Sequence, residues 1–310
     1  MHPLFGHARG VLAVGIGGGG DVVGALAVAE LAAAAGLPAR VGGVTWERRP
    51  IDPLPGPRRL DEIEGADPLA DGVVLAGQGT RGPGGFLFAE SNMARVLGEP
   101  VVLVDPHGGP RAVAAGLDAA AERLRCDLVA LVDVGGDVLG HGDEPGLASP
   151  LCDAVMLAAS AHMRTRTVGA VFGPGCDGEL TPDEVLERVA EVARAGGLLG
   201  AWGLTPDVTT RLEAVVQTVP TEASAQALRC ARGEYGASAI RGGRRPVQLS
   251  PVGAVTFFFD PAAAMASAAR LATAVAEAGS LEEAQATLAA RGVRTELQWE
   301  RDAAAAPPAA

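Results

Sequence analysis

The alternation of apolar, strand-like segments with helix-like segments constrains the fold of this chain more than any other feature. Residues 10–16 are continuously apolar, which is typical of a strand buried on both faces of a parallel sheet. An Ala-rich segment at 21–35 follows and ends before Gly36 and Pro38, as helices do. The order repeats, with strands predicted at 10–16, 39–46, 72–76, 101–105, 127–134 and 167–172 and helices at 21–35, 87–97, 111–124, 149–162 and 181–195. We therefore predict an α/β fold with a doubly wound, mostly parallel sheet and Gly-rich loops at the C-terminal strand ends.

The regularity of this alternation also suggests how the chain divides. Residues 1–203 are predicted to form the α/β core, with a long Pro-rich loop or lid at 48–71. Residues 204–302 are predicted to form an α+β extension, either within the same domain or separate from it. Its predicted elements are helices at 205–218, 221–231, 261–278 and 280–291 and strands at 246–249, 254–259 and, as an edge strand, 293–299. Residues 303–310 are rich in Ala and Pro and are predicted to be a disordered tail.

All 25 basic residues are Arg, and this excludes chemistry that depends on Lys, such as a Walker-A nucleotide site or pyridoxal-phosphate attachment. The net charge of −12 argues against nucleic acid as a partner, because binding a phosphate backbone needs an excess of basic residues. No apolar stretch has the length and lack of charge of a membrane span, and the N-terminus does not resemble a signal peptide. We expect a cytoplasmic protein with a small-molecule substrate, no nucleic-acid partner and no membrane partner, and we leave a homo-oligomer open.

The loop after the first predicted strand matches the phosphate-binding pattern G-x-G-x-x-G. Its glycines would let the backbone approach a phosphate at the N-terminus of the next helix. The candidate binding residues are Gly15, Gly17, Gly18, Gly19 and Gly20. Asp21 follows directly, and because a carboxylate there competes with a phosphate, we interpret it either as a catalytic residue or as an ordinary helix N-cap.

A second candidate loop follows the strand predicted at 127–134. Gly135 and Gly136 are candidate binding residues, and the sequence predicts catalytic roles for the residues around them, Asp133, Asp137 and His141. Aspartate and histidine can transfer protons, and the two aspartates can also bind Mg²⁺ through oxygen. The alternative is that the aspartates only cap a helix or stabilise the turn.

Two further loops add charged candidates. Asp177 and Glu179 follow the strand predicted at 167–172, where they bind a ligand or stabilise a helix N-terminus. Arg241, Arg244 and Arg245 form the one dense basic segment, which suits a phosphate or carboxylate clamp or a solvated turn. Because the carboxyl ends of parallel strands share one edge of a sheet, we expect the Gly-rich loops to converge there.

Four blocks together resemble a known family: VGIGGGGD at 14–21, DVGGD at 133–137, GCDGEL at 175–180 and IRGGRR at 240–245. They resemble an uncharacterised domain-of-unknown-function family of archaeal and bacterial α/β proteins, over about residues 10–260 of the chain. The resemblance implies a Rossmann-like fold, which we assign to residues 1–203. It implies no established activity and supplies no catalytic residues.

Three functions remain open from the sequence. The first is an enzyme acting on a phosphorylated, nucleoside-like or sugar-like small molecule in an Asp-lined cleft, by transfer, elimination or hydrolysis. The second is an NAD(P)-dependent oxidoreductase, in which Glu47 would bind ribose and Arg48 and Arg49 a 2′-phosphate. The third is a non-catalytic nucleotide-binding regulatory protein. Mg²⁺ and NAD(P) are the cofactors considered.

Overall fold

A nine-stranded mixed sheet forms the centre of the structure, a computed structural model that describes residues 4–306. Two further strands, at residues 236–240 and 245–249, pair with each other in a separate antiparallel hairpin. The strands are β1 (Val11–Gly15), β2 (Ala39–Val44), β3 (Glu64–Ala70), β4 (Val73–Arg81), β5 (Val101–Val104), β6 (Leu128–Val134), β7 (Arg166–Phe172), β8 (Leu198–Gly203), β9 (Gly236–Ile240), β10 (Arg245–Leu249) and β11 (Val255–Phe259).

Five strands in the middle of the sheet are parallel, in the order β5-β2-β1-β6-β7. β2 pairs with one side of β1 and β6 with the other, so the strand order reverses beside β1. A crevice opens at such a reversal because the connections leave the two strands in opposite directions. The ends of β1 and β6 are therefore where a ligand site is expected.

Helices cover both faces of this sheet. Because successive strand residues point to opposite faces, Leu12 and Val14 pack in one core and Val11 and Ala13 in the other. The first core includes helical residues within 113–121, 151–159 and 271–275, and the second includes helical residues within 22–32, 212–215 and 227–230. The helices are α1 (Val22–Ala34), α2 (Ala89–Leu97), α3 (Gly109–Arg123), α4 (Pro150–Ala159), α5 (Pro182–Arg194), α6 (Pro206–Val216), α7 (Ala223–Ala231), α8 (Pro261–Met265), α9 (Arg270–Val275), α10 (Leu281–Ala289) and α11 (Glu296–Ala305).

The outer strands of the sheet are antiparallel. β3 and β4 extend it beyond β5, and β11 and β8 extend it beyond β7. The predicted α/β fold is confirmed, but the sheet is parallel only in its centre. Part of the predicted loop at 48–71 is strand β3, an exposed strand whose weak apolar pattern hides it from sequence analysis.

The C-terminal third differs from its prediction in strand β9, which was not predicted, and in two helical regions. The predicted edge strand at 293–299 is wrong, because Thr295 caps a helix there by accepting a hydrogen bond from the backbone N–H of Gln298. The predicted helix at 261–278 is two short helices, α8 and α9. α11 continues to Ala305, and residues 307–310 of the predicted tail lie outside the described residues.

The domain division proposed from the sequence stays a prediction, although β11 lies between β7 and β8 in the main sheet. Among residues 4–306, no helix combines the length and the apolar character needed to cross a membrane.

Candidate functional site

A cavity of about 300 Å³ lies beside the carboxyl ends of β1 and β6, at the reversal of strand order. Its walls come from the glycine loop after β1, the loops after β2, β6 and β7, the start of α4 and the start of α7. The lining residues are Gly17, Gly18, Gly19, Gly20, Asp21, Glu47, Arg48, Arg49, Pro50, Ile51, Val134, Asp137, Ser149, Asp153, Asp177, Glu179, Pro220, Thr221, Glu222, Ala223 and Arg241.

The glycine loop is folded back on itself at the start of α1. The Asp21 carboxylate accepts a hydrogen bond of 2.9 Å from the backbone N–H of Gly17, and the N–H of Gly19 donates to the carbonyl oxygen of Trp46 at 2.9 Å. A Cβ atom at Gly17 would lie 2.5 Å from the Asp21 Oδ2 atom, so only glycine allows this approach. Two of the N–H groups that could bind a phosphate are therefore used within the protein.

The turn after β6 brings the β7 loop against it. Gly135 adopts φ +125°, and a Cβ atom there would lie 2.2 Å from the Asp177 carboxyl carbon. Asp133 accepts a hydrogen bond of 3.3 Å from the backbone N–H of Val138, and the Asp137 carboxyl group lies close enough to influence its pKa.

Six acidic side chains meet around the cavity, and we call them the carboxylate cluster. They form two triads, and within each triad one oxygen of every residue lies within 4.8 Å of the others. The first triad is Asp21, Asp133 and Asp153, and the second triad is Asp137, Asp177 and Glu179. Asp21 is half-buried and the other five are buried.

Burial is the main cause of altered acidity in the cluster. Burial raises the pKa of Asp133 to about 7, and burial together with the neighbouring Asp133 raises the pKa of Asp153 well above its usual value. The pKa values of Asp21, Asp137 and Asp177 are raised for the same reason. At neutral pH the cluster therefore holds protons that exposed aspartates would have lost.

Glu179 differs from the other five carboxylates. Burial raises its pKa, but the nearby Arg245 and the hydroxyl of Ser149 outweigh burial and hold the pKa below its usual value. Its Oε1 atom accepts a hydrogen bond of 2.7 Å from Arg245 and another from the Ser149 hydroxyl. Its Oε2 atom accepts from the backbone N–H groups of Ala148 and Ser149 at 2.7 and 2.8 Å. Glu179 thus joins the β7 loop to the start of α4.

The arginines near the cavity are paired to different degrees. Arg48 donates to the Gly17 carbonyl oxygen at 2.5 Å and lies 3.7 Å from Glu296 and 3.8 Å from Glu300. Arg241 is exposed and lies 3.7 Å from Glu222. Arg49 is exposed on the cavity wall and forms no ion pair with any carboxylate of residues 4–306. The exposed Arg49 and Arg241 define what we call the cavity rim.

Most of the candidates from the sequence come together here. Gly17, Gly18, Gly19, Gly20, Asp21, Asp137, Asp177, Glu179 and Arg241 line the cavity, and Asp133, Gly15, Gly135, Gly136 and Arg245 lie directly behind them.

Two candidates lie elsewhere. His141 contacts Glu191 at 3.1 Å and is not among the lining residues. Arg244 is exposed and donates to the Arg241 carbonyl oxygen.

The sequence places Asp153 on the helix after the Asp133–Asp137 loop and predicts that it only supports this loop. Asp153 is one charged residue in the otherwise uncharged helix α4, and it is buried with its Oδ1 atom unbonded among residues 4–306. A single charge inside an apolar helix is the signal that could have revealed it, since such a charge is costly without a partner.

The comparisons with known proteins identify a family for this chain. Residues 12–304 match the family described as "Protein of unknown function (DUF1152)". No curated protein and no solved structure matches the chain.

Proposed function

Because this chain belongs to the DUF1152 family, whose function is unknown, we infer its function from the site and propose an enzyme that acts on a small phosphorylated molecule. The substrate class is nucleoside-like or sugar-like, and the reaction is a transfer, an elimination or a hydrolysis. The proposal rests on one observation: the cavity combines a buried carboxylate cluster with an exposed rim of arginines.

The rim supplies the contacts for a phosphate. Arg49 has no carboxylate partner within residues 4–306, and Arg241 has a loose one in the exposed Glu222. Guanidinium groups bind phosphate oxygens through two parallel N–H donors. The backbone N–H groups of Gly17 and Gly19 are already bonded, so the arginines rather than the glycine loop carry the phosphate in this proposal.

The carboxylate cluster supplies the contacts for hydroxyl groups and for proton transfer. Carboxylate oxygens accept hydrogen bonds from the hydroxyls of a ribose or a sugar. A general acid or base works best when its pKa is close to the working pH, and burial raises the pKa of Asp133 to about 7. We assign to the Asp133–Asp137 pair the role of accepting or donating the substrate proton.

The geometry weighs against the two alternatives in different ways. A dinucleotide pyrophosphate would have to displace the Asp21 carboxylate from the Gly17 N–H, and Glu47 is buried with a 2.5 Å hydrogen bond from the Ala89 N–H. A non-catalytic binder has no need of a buried carboxyl group, such as that of Asp133, whose pKa burial raises to about 7. Each alternative predicts a result different from that of the proposed enzyme in the experiments below.

The first test is a thermal-shift panel of NAD⁺, NADP⁺, AMP, ATP, nucleotide sugars and sugar phosphates, each with and without Mg²⁺. A ligand at about 100 times its Kd stabilises the folded state by about 2.7 kcal/mol, which raises Tm by a few degrees. We expect a shift with phosphorylated monomers, loss of that shift in R49A and R241A, and its retention in R244A. Arg244 is the matched control because it is near Arg241 but outside the cavity lining. A shift confined to NAD⁺ or NADP⁺ overturns the proposal.

The second test separates an enzyme from a binder. Each compound that shifts Tm is incubated with the protein, and its conversion is followed by phosphorus NMR and mass spectrometry. We expect conversion by the wild type and a loss of at least about 100-fold in D133N, as is usual when a general acid or base is removed. D133N should still show the thermal shift. Ligand binding without conversion by the wild type would identify a binding protein instead.

A further inference from the structure

We propose that Asp21, Asp133 and Asp153, the first triad, bind one divalent cation through their carboxylate oxygens, with Mg²⁺ or Mn²⁺ as the ion. This inference rests on the proposed function and names the cofactor of the same cavity. A bound cation keeps Asp133 ionised, so the proton transfer assigned to the Asp133–Asp137 pair then falls to Asp137. The experiment below measures metal binding alone, so the inference succeeds or fails independently of the phosphorylated substrate.

The arrangement of the triad suits a small oxygen-preferring ion. The three residues come from different parts of the chain: Asp21 at the start of α1, Asp133 in β6 and Asp153 in α4. Their nearest oxygens lie within 4.8 Å of one another. Oxygens around one octahedral Mg²⁺ at about 2.1 Å are separated by about 3–4 Å, so a small contraction of the triad completes the site.

An independent observation on Asp153 points to a missing ligand. The residue is 2% exposed, and its Oδ1 atom is buried without a hydrogen-bond partner among the described residues. A Cβ atom on Gly17 would lie 3.0 Å from its Oδ2 atom, so the side chain faces the glycine loop at the cavity. A buried carboxylate without a donor costs several kcal/mol, on the order that a cation in contact with it would offset.

The protein's own cations do not fill this place. Arg48 is the arginine that acts electrostatically on Asp21 and Asp153, but its guanidinium group lies beside two other carboxylates, Glu296 and Glu300. When the three carboxyl groups of the first triad are ionised, one arginine shared among these carboxylates leaves the triad with an excess of negative charge. A divalent cation is the simplest compensation for that excess.

The second triad already has a cation from the protein, because Arg245 pairs with its Glu179. Both oxygens of Glu179 are occupied by donors from Arg245, Ser149 and Ala148. Arg245 supplies there the positive charge that a metal would otherwise supply. The inference is therefore limited to one ion, in the first triad.

A third group of possible metal ligands also has its negative charge compensated by the protein. In the group of His141, Asp143 and Glu144, the Glu144 carboxylate accepts from the N–H groups of His141 and Gly142 and lies 3.4 Å from Arg188. Its charge is already compensated, so it does not call for a metal.

The chemistry of the donors selects the ion. All three donors are carboxylates, and the triad contains neither Cys nor His. Hard oxygen ligands favour Mg²⁺ and Mn²⁺, whereas zinc sites usually include nitrogen or sulfur ligands. Three protein ligands leave the remaining octahedral positions for water or for a phosphate oxygen.

The experiment titrates Mn²⁺ into the EDTA-treated, dialysed 310-residue protein and measures free Mn²⁺ by electron paramagnetic resonance. We expect about one Mn²⁺ per chain in the wild type, competed by excess Mg²⁺. D153N should weaken Mn²⁺ binding by at least about 10-fold, since it removes one charged ligand. D177N, in the second triad, should change the affinity by less than about threefold and is the matched control. Wild-type affinity in D153N, or an equal loss in D177N, overturns the assignment.

Thermal unfolding shows whether a loss of binding reflects unfolding. Without metal, D153N should unfold at the same or a higher temperature than the wild type, because an amide cannot add a negative charge to the crowded cluster. Adding Mn²⁺ should raise Tm in the wild type and in D177N but not in D153N. If D153N fails to fold, D21N takes its place, because Asp21 is half-buried and more tolerant of change. Mn²⁺-dependent stabilisation of a folded D153N at the wild-type concentration contradicts the proposal.

Discussion

Glu300, in the last helix, accepts a hydrogen bond of 3.0 Å from the indole nitrogen of Trp46, although 254 residues separate them in the sequence. The same carboxylate accepts from the Gly56 N–H at 2.7 Å and lies 3.8 Å from Arg48. α11 thus holds the chain segment that follows β2, and with it one wall of the cavity. The position of Arg48 depends on a helix that the sequence does not link to it.

Replacing Trp46 tests this connection. W46F keeps an aromatic ring in the core but removes the N–H donor to the buried Glu300. We expect a loss of about 1–3 kcal/mol in the free energy of unfolding, because a buried charged acceptor loses a partner. Urea unfolding measures the loss. W299F is the control, since Trp299 is 48% exposed and its replacement should change stability by less than about 0.5 kcal/mol. Equal effects of the two substitutions would contradict a specific role for the Trp46–Glu300 bond.

The same helix shows why part of the fold escapes the sequence. Apolar residues alternate through Val293, Leu297 and Trp299, a spacing that imitates a strand. What fixes the helix is the cap at Thr295 together with the buried Glu296 and Glu300, one turn apart. Glu296 accepts from backbone N–H groups at the start of α4, more than 140 residues earlier. A local pattern cannot reveal a partner at that distance.

Arg245 should behave as a structural residue rather than as part of an anion clamp. R245M leaves the buried Glu179 without its cation, and we expect a loss of about 2–3 kcal/mol in the free energy of unfolding. The full cost of breaking a buried pair is reduced because the Arg245 side chain is 21% exposed and water screens part of the interaction.

R244M, one position earlier in the same hairpin, should change stability by less than about 0.5 kcal/mol. Chemical unfolding of both variants makes the comparison. A neutral R245M would show that Glu179 does not need its cation and would reopen the clamp interpretation.

The site was predictable where it follows from topology. Parallel strands end at one edge, so acidic loops after β1, β6 and β7 could be expected to meet, and the carboxylate cluster includes Asp21, Asp133 and Asp177 from those loops. The roles of the arginines were not predictable. Whether Arg245 or Arg49 remains available to a ligand depends on which carboxylate lies nearby in the folded chain.

Replacing Gly135 should lower the free energy of unfolding, because the Asp177 side chain leaves no room for a Cβ atom. In G135A, the new methyl group would lie 2.2 Å from the Asp177 carboxyl carbon. The fold would also require the alanine to adopt φ +125°, which is unfavourable for any residue with a Cβ atom. G236A is the matched control, because Gly236 has φ +106° and open space around its missing Cβ atom. We expect G236A to lose about 1–2 kcal/mol from backbone strain alone and G135A to lose about 1–3 kcal/mol more from overpacking. Equal losses, measured by urea unfolding, would mean that the β7 loop can move away from Gly135.

The metal-free protein should become less stable as the pH rises from about 4 to about 7. Burial raises the pKa of both Asp133 and Glu47 to about 7, so the folded state binds more protons than the unfolded state in this range. Stability falls with pH wherever the folded state binds more protons, and it is fully present only below the unfolded pKa. Carboxylates whose pKa is lowered, such as Glu179 and Asp118, are already ionised in both states above about pH 5 and do not reverse this trend.

Urea unfolding in EDTA at about pH 5 and about pH 7.5 measures this dependence. We expect the urea concentration at the wild-type unfolding midpoint to decrease from about pH 5 to about pH 7.5. The decrease should be smaller in D133N, because an amide has no proton to lose in this range. The contribution of Asp133 is at most about 4 kcal/mol, the free energy of a shift of about three pKa units. Saturating Mg²⁺ should reduce the fall in the wild type, because a cation stabilises the ionised first triad. A wild-type midpoint that rises from about pH 5 to about pH 7.5 in EDTA would show that the cluster is ionised without a metal, and that its charges are compensated within the protein.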